Sequence, residues 1–196
     1  MDLKKINVLI LGGTKFMGRS LVMKMAANAN FEVHIINRMK DHWDNEISEL
    51  VNITWSYADR KKHNEFTKYL AYYNKKHGFG PANGGRVWDF VIDFCSYERK
   101  DVKSVVRSLS GLVKLYIFIS SDSVYEVSCT GHQVFDSQNR LKEESTLRPA
   151  NQELIAHLAN EDEYGHDKLK CEEYLASNLF INSTPKVTRR TVKFHT

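Results

Sequence analysis

The chain has 196 residues, of which 42% are hydrophobic and 27% charged, with a formal net charge of +4. That length suits one domain with a real core, or one larger domain cut short, and the small positive charge does not by itself mark a nucleic-acid binder. No apolar run approaches the roughly 20 residues that a membrane-crossing helix needs. The three cysteines, Cys95, Cys129 and Cys171, are scattered and odd in number. They read as reduced thiols, not as a disulfide framework. Residues 1–5 lead straight into an apolar run, so no secretory leader and a cytoplasmic location are expected.

Residues 6–11 form an apolar strand that ends in Gly12-Gly13-Thr14-Lys15-Phe16-Met17-Gly18. A helix is expected at once, over 15–28. Strand, tight glycine turn and helix in that order bring backbone N–H groups and the positive end of a helix up to a pyrophosphate. Gly12 suits the sharp turn, and Gly18 suits close packing of the helix on the strand. A second short strand follows at 31–36, which gives the first unit the size of a βαβ crossover. A weaker third strand covers 51–57, and a polar helix covers 60–77, with Phe66, Leu70 and Tyr73 on one face.

The glycine-rich stretch 78–86 reads as a flexible surface connection, since no helix starts after it. Residues 88–95 form a buried type of strand, 99–109 a helix and 115–120 a fifth strand. Strands and helices alternate throughout. The fold class is therefore α/β, a doubly wound parallel sheet of the Rossmann kind with strand order 3-2-1-4-5. Residues 126–151 are polar and irregular, an excursion over the carboxyl edge of the sheet. A helix covers 153–178 with a break near Gly165. Residues 1–180 make the NAD(P)-binding domain and 181–196 an irregular basic tail.

Two constellations carry chemistry. Tyr164 and Lys168 are four apart, which on a helix puts them on one face. A lysine ammonium there favours a phenolate and holds a ribose hydroxyl, so the phenol can act as acid or base. Strand five runs into Ser120-Ser121-Asp122-Ser123-Val124-Tyr125, and a hydroxyl at that end of a central strand lies where open α/β sheets bind ligand. Metal binding is not expected, because Cys129 and His132 are the one tight pair of ligating residues. Trp43, Trp55 and Trp88 read as packing residues.

With these motifs in order, the chain resembles the extended short-chain dehydrogenase/reductase superfamily, in particular the NAD-dependent epimerase/dehydratase family. Three stretches carry the resemblance: Gly12 to Gly18, Ser120 to Tyr125, and Tyr164 to Lys168. The resemblance implies that Ser121, Tyr164 and Lys168 are the catalytic serine, tyrosine and lysine, with the tyrosine moving a proton while nicotinamide exchanges hydride. It implies cofactor contacts at the 12–18 turn, at Phe94, Cys95 and Ser96 after strand four, and at Tyr164 and Lys168, with Asp59 on the adenine. Asp59 also reads as a cap for the helix that follows. The implied substrate is a small molecule, nucleotide-sugar-like or carbonyl. No acid stands directly after strand two, where NAD-preferring members carry one. Arg38, with Lys15 or Arg19 nearby, suits a 2′-phosphate, so NADP is favoured over NAD.

The chain departs from the family pattern at Lys15, which replaces a glycine, at Cys95-Ser96 and at Glu126, and its gap from Ser121 to Tyr164 is long. A subgroup sharing the Gly-Gly-Thr-basic-Phe turn resembles chloroplast stem-loop-binding proteins, so a non-catalytic nucleotide-sensing or RNA-binding module is the alternative. Extended members continue well past the catalytic helix. Most of the C-terminal substrate region is therefore expected to be missing, which would leave an uncovered sheet edge and favour a homodimer.

Overall fold

The computed structural model describes residues 5–38, 50, 52–80, 85–128 and 134–177. In chain order these form β1 (Ile6–Leu11), α1 (Phe16–Ala26), β2 (Phe31–Asn37), β3 (Ile53–Tyr57), α2 (His63–Lys76), β4 (Trp88–Asp93), α3 (Arg99–Ser108) and β5 (Val113–Phe118). A 3-10 turn over Asp122–Tyr125, α4 (Gln152–Glu161) and α5 (Glu163–Ala176) follow. Every pairing is parallel and the order is β3-β2-β1-β4-β5, the expected doubly wound arrangement. Cys129, His132, Trp43 and the tail 181–196 lie outside the described residues.

Alternation along β1 divides its side chains between two layers. Val8 and Ile10 pack with Val33, Ile35 and Val22 on the α1 side, whereas Leu9 and Leu11 join Phe66, Leu70, Val102 and Val105 on the side of α2 and α3. Cys171 and Leu175 of α5 complete that second layer. Because β1 is buried on both faces it reads as a continuous apolar run. Phe90, Ile117 and Ile119, on the α1 side, are only partly buried.

Two boundaries shift from the sequence reading for a tertiary reason, and one connection is more ordered than expected. Helix α2 starts at His63 and not at residue 60, because Arg60 leaves the helical path to pair with Asp93. The long C-terminal helix breaks at Asp162 and not at Gly165: Asp162 caps α5 by accepting from Gly165 N at 2.8 Å. Gly165 serves close approach instead, since a Cβ there would stand 2.5 Å from the Ser123 carbonyl oxygen. The glycine-rich connection is anchored at both described ends. Arg86 N donates to the Gly78 carbonyl at 3.0 Å, and Phe79 is buried, stacked on Trp88 at 3.6 Å between centroids.

One buried titratable group sits in this layer. His34, on β2, is 1% exposed and lies edge-on to Tyr73, His77, Phe79 and Trp88. Its ring nitrogens meet the Tyr73 hydroxyl at 2.8 Å and Glu32 at 3.1 Å. Burial pushes it down from 6.5 to about 4, against the pull of Glu32. Below pH 6.5 the unfolded chain binds a proton that the folded chain refuses until about 4, so stability is lost as pH falls through that window. The loss from this group is on the order of 3 kcal/mol. Urea unfolding between pH 7 and 4 is expected to show it, with a shallower pH dependence in His34→Gln; equal slopes would assign the acid sensitivity to other groups.

Candidate functional site

The first strand ends in a turn that only glycine makes cheaply. Gly12 and Gly13 have φ of +89° and +80°, in the left-handed region where a Cβ is strained. A Cβ on Gly13 would also stand 2.6 Å from Ile10 Cγ2, and one on Gly18 would stand 2.7 Å from Gly13 Cα. Gly18 thus lets α1 close onto the turn itself, a different contact from the helix-on-strand packing the spacing suggested. Phe16 opens α1 with φ +46° and is 89% exposed. Lys15, at the N-cap, makes no side-chain cap, and the first turn of α1 holds no acid. The partial positive charge of its leading amides is therefore uncompensated by a carboxylate within that turn.

That turn forms one wall of a cavity of about 490 Å³ at the carboxyl ends of the strands, a volume typical of small-molecule sites. All seven residues from Gly12 to Gly18 line it, as do Arg38, Phe94, Cys95, Tyr164 and Lys168. Asp59 does not: its carboxylate accepts from Lys61 N at 3.1 Å, and it stands outside the α2 cap position, which Lys62 occupies. Ser96 is buried behind the wall.

Helix α5 brings the tyrosine and lysine to the same rim. Tyr164 is 45% exposed there, and its ring centroid lies 5.8 Å from Lys168 Nζ. Lys168 is buried, and Nζ donates to the carbonyls of Ser96 and Ile119, both at 2.8 Å. Burial lowers its pKa, partly offset by the nearby Asp93 carboxylate. An ammonium has three N–H donors, so one remains for a ligand. Ser121 takes a local role, accepting from Ser123 N at 3.3 Å to cap the 3-10 turn. Ser120 lines the cavity, and its buried hydroxyl has no hydrogen-bond partner among the described residues.

The sequence reading missed the buried polar layer joined to these groups, of which Arg60 also reaches the cavity wall. Arg60 and Asp93, 6% and 0% exposed, form a two-pronged pair at 2.6 and 3.1 Å. Asp93 also accepts from Tyr116 Oη at 2.7 Å, Ser96 Oγ at 2.7 Å and Cys95 N at 3.0 Å. Burial opposes its charge, but Arg60 and these donors hold its carboxyl below the ordinary range. Burial pushes the Cys95 thiol up to about 11, so it stays protonated and unreactive at neutral pH. The available signal was an aspartate closing an apolar strand and an arginine placed directly before a helix. The excursion is tied down as well: Arg148 grips Glu173 of α5 at 2.7 and 3.1 Å and meets His166 Nδ1 at 2.9 Å.

No protein-family model matches the sequence, and no curated protein matches it. Solved structures match its shape. The Bordetella bronchiseptica enzyme WbmG in complex with NAD superposes with a TM-score of 0.58 at 11% identity, over 95% of this chain and 52% of that chain. A UDP-N-acetylglucosamine 4-epimerase from Methanobrevibacter ruminantium gives 0.57 at 19%, over 88% and 50%. A short-chain dehydrogenase/reductase from Veillonella parvula gives 0.55 at 12%, over 89% and 65%. The chain therefore has the Rossmann fold seen in these structures, and spans about half the length of the first two and 65% of the third. Among the described residues no helix is long and apolar enough to cross a membrane, and no cluster of metal-ligating side chains forms.

The site makes a stability prediction. Asp93→Ala would leave the Arg60 guanidinium buried without its partner, at a cost of about 3–5 kcal/mol. Urea unfolding is expected to show that loss; a change below about 1 kcal/mol would mean that water or a neighbour replaces the carboxylate.

Proposed function

We propose that the cavity binds a nicotinamide dinucleotide and that Tyr164 and Lys168 perform acid–base chemistry on a small hydroxyl- or carbonyl-bearing substrate, in the manner of an epimerase, dehydratase or reductase of the extended short-chain dehydrogenase/reductase kind. The observation that carries this reading is that one cavity is bounded both by the Gly12–Gly18 turn with the amino end of α1 and by the Tyr164–Lys168 pair. The residues fit the cofactor. Gly12 and Gly13 supply the positive-φ turn and Gly18 lets α1 close onto it at the cavity wall, the leading amides of α1 suit a pyrophosphate, and the cavity-lining Ser120 has an unpaired hydroxyl. Matched structures hold NAD, UDP and UDP-N-acetylmuramic acid, which supports a nucleotide-sugar-like substrate.

When bound, the nicotinamide supplies or accepts a hydride. The chain's own residues do the rest. Tyr164 Oη takes the proton from a substrate hydroxyl as the carbonyl forms, or returns it to the oxygen in the reverse direction. Lys168 favours the phenolate electrostatically and directs its third N–H to a ribose hydroxyl. Ser121 or the adjacent Ser120 orients the substrate oxygen. Arg38, exposed at the end of β2 and on the cavity wall, pairs with a 2′-phosphate, which makes NADP the favoured form.

Titration with NADPH and NADH, followed by energy transfer from tryptophan, tests the binding. Micromolar NADPH affinity is expected, with Arg38→Ala weakening NADPH by about tenfold or more and NADH by far less, as for the loss of a charge-assisted contact. Equal losses would remove the NADP preference, and no binding of either would overturn the reading. Tyr164→Phe is expected to cut turnover by about 10²–10⁴ while sparing cofactor affinity; unchanged turnover would remove Tyr164 from the chemistry.

A further inference from the structure

A buried arginine–carboxylate pair adds little net stability over apolar residues of the same volume. The reach of the Arg60–Asp93 pair indicates what else it does. Ser96 lies beyond the last ladder residue of β4, so the sheet does not hold it. Side chains do: Ser96 Oγ donates to Asp93 at 2.7 Å and accepts from Arg60 Nη2 at 2.8 Å. The preceding amide, Cys95 N, is held by the same carboxylate at 3.0 Å. Arg60 Nη2 also reaches the Asp101 carbonyl at 3.3 Å, tying this turn to the first turn of α3.

The turn so held presents the Ser96 carbonyl to Lys168 Nζ at 2.8 Å. The other carbonyl on that ammonium belongs to Ile119, just past β5, and Ile119 N donates to the Asp93 carbonyl at 3.1 Å. Both acceptors of Lys168 are thus registered against Asp93, one through its side chain and one through its main chain. Rings also lie close to the ammonium: Phe118, Tyr97 and Tyr164 are 4.7, 5.1 and 5.8 Å from Nζ by centroid.

We propose that Arg60 and Asp93 are positioning residues for Lys168: the pair sets the Ser96 carbonyl, and through it the place of the ammonium beside Tyr164. Asp93 does not line the cavity, and Arg60, which does, acts on Lys168 through Asp93 and Ser96. The placement is a property of the chain alone, and its consequence for cofactor binding rests on the proposed dehydrogenase/epimerase reading.

The test is residue-resolved acylation of amines in the cofactor-free chain, read by peptide mass spectrometry, with exposed Lys100 as the internal reference. Ser96→Ala removes the link between the pair and the turn while deleting only one hydroxyl. Lys168 is expected to acylate about tenfold faster relative to Lys100 in that variant, as for the loss of one hydrogen-bonded restraint. Ser96→Thr, which keeps the hydroxyl, is expected to restore protection. A general loosening would instead raise labelling in step with lost stability, whatever the hydroxyl. Asp93→Asn is the second variant, with the same expected rise. If it does not fold, Ser96→Ala alone decides, and an unchanged Lys168 rate in folded Ser96→Ala overturns the proposal. NADPH affinity is measured in parallel, with about a tenfold loss expected in Ser96→Ala. Failure of the wild-type chain to bind NADPH or NADH overturns the proposed function, whereas the acylation comparison still decides the role of the pair.

Discussion

A carboxylate with no access to water, at the carboxyl end of a central strand, must be met by donors from every side. Asp93 meets that demand with Arg60, Ser96, Cys95 and Tyr116, which come from the segment before α2, the turn after β4 and strand β5. An uncompensated charge there would cost far more than any single packing contact contributes. The demand therefore shapes its surroundings. It keeps Arg60 out of α2, it folds the chain back after β4, and it connects both carbonyls that hold Lys168.

The opposite wall of the cavity answers a steric constraint. Gly12 and Gly13 adopt a positive φ that strains a side chain, and Gly18 approaches Gly13 too closely for a Cβ, so the turn and the amino end of α1 close together at the cavity wall. The cavity consequently has the amino end of α1 at one side and the Tyr164–Lys168 pair of α5 at another. A dinucleotide has a matching layout, with charged phosphates in its middle and a reactive ring at one terminus. The fit of these two patterns supports the proposed function more strongly than any single residue does.

Gly165 joins two segments at the Tyr164–Lys168 side of the cavity. Its missing Cβ lets α5 press on the Ser123 carbonyl, which brings the Ser121–Tyr125 turn and the Tyr164–Lys168 face to one place. Arg148, locked to Glu173 and beside His166, holds the irregular excursion against the outer side of the same helix. Tyr164 itself remains 45% exposed on the rim of the cavity.

The order of strands, the glycine turn and the Tyr164–Lys168 face were legible in the sequence because each depends on local periodicity and on glycine chemistry. Strand β1 announces itself by apolar burial on both faces, and two residues four apart on a helix share a side whatever surrounds them. The buried polar layer was not legible. Arg60 and Asp93 are 33 residues apart, and nothing local distinguishes Arg60 from a surface arginine at a helix start. The same holds for the buried, unpartnered hydroxyl of the cavity-lining Ser120 and for the break at Asp162, set by a cap and not by the nearby glycine. The sequence by itself determined the elements, their winding and the two ends of the cavity. The tertiary structure alone decided which charges are buried and what orients Lys168, because desolvation depends on neighbours that only folding brings together.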